Sequence, residues 1–80
     1  MKRGDAGKIA SRVIGSLGEP AARELLDVLE RSDADRAAFI GRLYPQDDAT
    51  WLAELLIDLE GEDGEPARLR LAESLQRVLG

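Results

Sequence analysis

Apolar residues in this chain return every third or fourth position, and nowhere do they alternate with polar ones over the length of a strand. That regularity leaves the helix as the element on offer. β-branched residues, which favour strands, are few. Five helical segments can be read between Pro and Gly punctuation. The first runs from about Asp5 to Leu17, with Ile9, Ala10, Val13, Ile14 and Leu17 on one side. Gly7, Ser11 and Gly15 recur every fourth residue beside that stripe. They read either as a groove for another backbone or, more simply, as a helix that frays, each Gly costing roughly 1 kcal/mol against Ala.

A second helix opens at Pro20, whose missing N–H is not needed in a first turn. Its stripe is Ala22, Leu25, Leu26 and Leu29, and Arg23–Asp27 and Asp27–Arg31 are expected as i,i+4 pairs on the wet side. Ser32 with Asp35 three residues on predicts a capped third helix, anchored by Phe39, Ile40 and Leu43 and stopped by Pro45. A fourth is expected to start near Asp47 or Asp48, acids suited to a helix N-terminus. Its stretch ATWLAELLIDLE is apolar almost all round, with Trp51, Leu52, Leu55, Leu56 and Leu59 on one broad face, Ala53 and Ile57 on the flank, and Thr50, Glu54 and Asp58 as a narrow polar strip. Such a helix reads as the spine of a bundle, or as one with part of its girth kept for a partner. After GEDGE, Pro66 opens a fifth helix with Leu71, Ala72, Leu75, Val78 and Leu79 inward. The expectation is an all-α fold: residues 1–80 form one compact antiparallel bundle of five to six short helices.

GEPAARELL (residues 18–26) is echoed by GEPARLRLA (residues 64–72), 46 positions later. The interval falls within the period of HEAT or armadillo units, but the match fades after the first residues. Gly, acid and Pro also spell an ordinary helix start, and that is the plainer explanation.

With hydrophobic residues at 44% and charged ones at 34%, the chain matches a folded domain and not a disordered one. Cysteine is absent, so neither disulfides nor thiolate metal sites are available. A cytoplasmic setting is the natural expectation. No apolar run approaches membrane-spanning length, and MKRGDAGK lacks the apolar core of a secretory signal. Net charge is −5, unfavourable for a nucleic-acid partner. Its distribution says more: residues 1–23 hold five basic against two acidic groups, no Lys or Arg lies between Leu43 and Ala67, and residues 66–80 hold three Arg against one Glu.

Little in the chain can carry chemistry. It has no His or Cys, which removes Ser–His and Cys–His nucleophile systems and His-ligated metals. Glu54 and Asp58 stand four apart, a spacing a solvated strip explains more cheaply than acid–base catalysis does. RGDAGK is too short for a phosphate loop and has Ile9 where a hydroxyl is needed. The RGD of Arg3–Asp5 suggests adhesion only by a chance tripeptide. DLEGEDGE lacks the ligand order of a calcium loop. No enzyme, cofactor or metal is expected.

The segment RELLDVLERSDADRAAFIGRL resembles the leucine-pair helix, short break and Phe-bearing helix of caspase-recruitment domains in the death-fold superfamily. Leu25, Leu26, Leu29, Phe39 and Leu43 carry the likeness. In those domains the two helices follow three others, whereas here they follow one. The resemblance implies a death-fold-like bundle and homotypic assembly through opposed charged patches, as in adaptors of bacterial immune systems. Nine Arg against two Lys, with no Asn, suit a GC-rich bacterial genome.

The sequence therefore predicts a non-catalytic protein–protein interaction module with a protein partner, which could be a second copy, and with neither nucleic acid nor membrane. The expected docking residues are Lys8 and Arg12 on the basic side and Asp47, Asp48, Glu62, Asp63 and Glu65 on the acidic side. A HEAT-like fragment that binds another protein, or a small acidic nucleic-acid mimic of phage origin, are the other readings.

Overall fold

The computed structural model describes residues 3–80, with side chains described from Asp5 onward. The expectations for the MKR start and for the Arg3 side chain of RGD thus fall outside the described residues or side chains. Five α-helices follow in order: α1 (Arg3–Leu17), α2 (Glu19–Leu29), α3 (Asp33–Leu43), α4 (Thr50–Asp58) and α5 (Glu65–Leu79), with one 3-10 turn, Glu62–Gly64, before α5. Helices α1, α2 and α5 pack on one another, α3 reaches α2, and α3 pairs with α4. First and last helices thus close on each other. The Cα radius of gyration, 11.3 Å, is that of a compact chain of this length, for which about 12 Å is usual.

The periodicity seen in the sequence becomes the core. Val13, Leu25, Leu52, Leu71 and Leu75 are the largest fully buried side chains, contributed by α1, α2, α4 and α5. Phe39, Ile40 and Leu43 add the inner side of α3. Among the described residues no buried side-chain polar atom lacks a hydrogen-bond partner.

Helix boundaries follow local chemistry. Ser32 Oγ accepts the Asp35 N–H at 3.3 Å, the expected cap of α3. Gly18 enters α2 with φ 90° and ψ 167°, a conformation essentially reserved for glycine. Gly64 enters α5 at φ −85°, where other residues are comfortable, but a Cβ there would lie 1.9 Å from the Leu59 carbonyl oxygen. The two GEP segments therefore share letters for different reasons, one torsional and one steric. Each is a helix start.

Several expectations change. Helix α4 begins at Thr50, not at Asp47 or Asp48, because Gln46–Ala49 first make a turn that drives Ala49 into the core. Arg23 pairs back to Glu19 at 2.7 Å and not forward to Asp27, whereas Arg31–Asp27 forms at 2.9 Å as expected. Val78 and Ile57 are about half exposed, and Val28 is buried in their stead. Trp51 is half-buried at the edge of the core, so the spine is Leu52, Ala53, Leu56 and Leu59 without its tryptophan. Gly7 and Gly15 face open space, with nothing within 4 Å of an added Cβ, so no backbone of this chain fills that stripe.

Arg36 was not singled out in the sequence and is the one buried charged residue of the described core. Its Nε donates to Glu60 Oε1 at 3.1 Å and its Nη1 to the Arg31 carbonyl at 2.6 Å, and Asp33 takes a further bond. The hydrogen bonds to Glu60, helped by the charges of Glu60 and Asp33 and opposed by burial, hold this guanidinium above its ordinary pKa. Close by, Arg68 of α5 donates to the carbonyls of Leu59 and Gly61, capping the negative end of α4. Together they fix where α4 ends, and so where its outer face points.

Candidate functional site

That outer face meets α1 along a shallow groove. At one end Lys8, Ile9, Arg12, Trp51 and Leu55 line it; at the other, Asp5 and Asp58 join Lys8, Ile9 and Leu55. The two helices run in opposite senses, since Arg12 neighbours Trp51 and Asp5 shares its end with Asp58. The floor is apolar: Ile9, Leu55 and Trp51 are partly buried and rest on the core.

Trp51 is held on both sides. The Arg12 guanidinium lies 4.0 Å from the ring centroid, and the indole N–H donates to the Asp48 carbonyl at 2.9 Å. A cation over indole contributes roughly 0.5–1 kcal/mol at an exposed site. The arrangement fixes the ring and leaves part of it facing solvent. Tryptophan and arginine together are the side chains that most often dominate binding energy at interfaces.

All seven docking residues expected from the sequence are exposed. Lys8 and Arg12 share one face of α1 and flank the groove. Asp47 and Asp48 lie in the turn before α4, at the Trp51 end. Glu62, Asp63 and Glu65 lie beyond the other end of α4, in the 3-10 turn and at the start of α5. The acidic set is thus divided by the length of α4. Arg12 and Asp48 meet on the same tryptophan, one through its side chain and the other through its carbonyl.

Among the described residues, none of the seven takes part in an ion pair. The contrast with α2 and α3 is sharp, where Arg23, Arg31, Arg36 and Arg42 are each ion-paired, Arg42 to Glu24 at 2.9 Å. The groove residues Ile9, Leu55 and Trp51 had been assigned inward by their helical spacing. A stripe too wide for one contact was the available signal that part of it faces outward.

No protein-family model matches the chain, and no curated protein or solved structure matches it either. No helix is long and apolar enough to cross a membrane.

Proposed function

We propose that the chain is a non-catalytic protein–protein interaction module, an adaptor of the death-fold-like kind in bacterial defence, working in the cytoplasm and docking its partner on the α1–α4 face. The observation that carries the reading is the uneven use of charge. On the α2–α3 side the arginines are neutralised within the chain. On the α1–α4 side Lys8 and Arg12 stand outside any ion pair among the described residues, beside a half-exposed tryptophan. Unpaired charges around an apolar floor select partners and speed encounter. Asp47 and Asp48, and Glu62, Asp63 and Glu65, supply further charged surface at the two ends of α4.

Support for the death-fold-like form is narrower. It consists of a small closed helical bundle, and of the leucine-pair helix followed by the Phe39-bearing helix with Leu25, Leu29, Phe39 and Leu43 buried.

The test is site-specific photocrosslinking in the source cells. A photoreactive residue in place of Leu55 is expected to give discrete protein adducts, a second copy of the chain included, that disappear when Arg12→Glu is added. The same residue in place of Arg23, on the self-paired side, is expected to give none. Absence of adducts at position 55 would overturn the reading.

A further inference from the structure

Helix α1 packs on α2 and α5, and α4 on α3, so the two walls of the α1–α4 groove are each held from other sides. The α1 wall is cationic along most of its length. Lys8 lines both ends of the groove, and Arg12, one turn on, lies over Trp51. The step from position 8 to position 12 is roughly 6 Å of helix at 1.5 Å per residue. Both side chains are exposed, and neither is in an ion pair among the described residues. Ile9, Leu55 and Trp51 form the apolar floor beside them. Carboxylates line only the far end, where Asp58 stands with Asp5, which has an interaction of its own. Glu54, exposed one turn before Asp58, lines neither end.

An occupant has to lay apolar side chains on that floor, set carboxylates one turn apart beside Lys8 and Arg12, and keep acids away from Asp58. A helix with an apolar stripe, and with an i,i+4 pair of acids beside the stripe in one half, meets all three demands. A channel between two antiparallel helices is also shaped to receive a third. A second copy turned onto the groove about a two-fold axis is unsuited, because it would set Lys8 against Lys8. We infer that the occupant of the α1–α4 groove is an acidic amphipathic helix of a different protein, its paired carboxylates at Lys8 and Arg12 and its apolar stripe on Ile9, Leu55 and Trp51. Arg12 keeps its place on the ring in that complex, since a guanidinium lying over an aromatic face still has N–H groups to offer a carboxylate. This rests on the proposal that the α1–α4 face docks a protein, and it states that protein's chemistry.

Titration of the purified chain, followed by the emission of Trp51, its only tryptophan, tests it. The probe is a synthetic Ala-rich peptide without tryptophan, about 18 residues long so that it is helical in water, with a leucine stripe and two Glu at i,i+4 beside it. Its counterpart carries Lys at those two positions. The Glu probe is expected to bind at micromolar concentration, to shift the emission until saturation, and to weaken with added salt. The Lys probe should bind roughly tenfold more weakly or worse. Lys8→Glu and Arg12→Glu should each weaken the Glu probe roughly tenfold and strengthen the Lys probe. Asp58→Lys, which lengthens the cationic wall, should tighten the Glu probe a few-fold, a gain that misfolding cannot mimic. A Glu probe that does not bind at millimolar concentration, a Lys probe that binds as well, or variants that leave the preference unchanged overturn the inference. Crosslinking from position 55 separates it from the reading it rests on. Protein adducts beside a silent Glu probe, or adducts to a second copy alone, remove the acidic helix and leave the docking face standing. If neither adducts nor probe binding is seen, both fall.

Discussion

Along α2 and α3 each arginine has a carboxylate within reach: Glu19 for Arg23, Asp27 for Arg31, Asp33 and Glu60 for Arg36, Glu24 for Arg42. On the outer side of α1 and around the ends of α4, Lys8, Arg12, Asp47, Asp48, Glu62, Asp63 and Glu65 are exposed and outside any ion pair among the described residues, and Arg12 rests on an aromatic ring. Both sides are highly charged, so composition does not separate them. What separates them is whether the basic groups are already matched inside the chain. A matched surface has little field left to offer a partner, and an unmatched one around Trp51, Ile9 and Leu55 does.

The largest effect that can break this comparison is at Arg36. Arg36→Ala removes the centre of a partly buried network and should cost about 2–3 kcal/mol in urea unfolding, below the range for a fully buried pair because Glu60 and Asp33 reach water. Association should be unchanged apart from that loss. Arg36→Met, which fills the space without the charge, should recover most of the stability. Because the Arg36 pKa is raised in the folded state, its stabilisation is present at all pH below the ordinary arginine range and is lost only as pH rises through that range. The stability difference between the wild type and Arg36→Ala should therefore stay constant in urea unfolding from neutral pH up to the ordinary arginine range, and shrink only above it.

Next comes Arg12→Glu, expected to weaken association by roughly tenfold, about 1.4 kcal/mol, while the unfolding midpoint moves little. Gly15→Ala should stabilise by about 0.5–1 kcal/mol, since α1 there faces open space and gains only helix propensity. A loss instead would mean that a partner's backbone, and not solvent, sits over the small-residue stripe. The smallest effect is Arg23→Ala, which removes an exposed i,i+4 pair with Glu19 and should cost about 0.3–0.5 kcal/mol without altering association.

The sequence makes much of the fold legible and little of the site. Helical spacing places Val13, Leu25, Phe39, Leu52 and Leu71 inside, because burial of a stripe is what periodicity records. Ser32 and Asp35 announce the start of α3 because a cap is local chemistry. Asp47 and Asp48 mislead for the opposite reason: their suitability as caps is local, but the burial of Ala49 that moves the helix start to Thr50 is tertiary. Arg36 and Glu60 are 24 residues apart, and no spacing pattern joins them. Trp51 reads as core by residue type and spacing, and only the packing of α1 against α4 shows that one side of it stays open. Lys8 and Arg12 are legible as an i,i+4 pair on α1. Their nearness to Asp58 and Trp51 depends on the crossing of two helices almost forty residues apart in the chain.

The central claim is that charges left unmatched within the chain mark the docking side. Paired charge reversals test it most directly: crosslinking from position 55 is measured with Arg12→Glu and, separately, with Arg23→Glu, both confirmed folded by circular dichroism. The account predicts that adducts vanish with the first and persist with the second. Loss with Arg23→Glu and persistence with Arg12→Glu would place the docking surface on the side whose charges are already matched, and would contradict it.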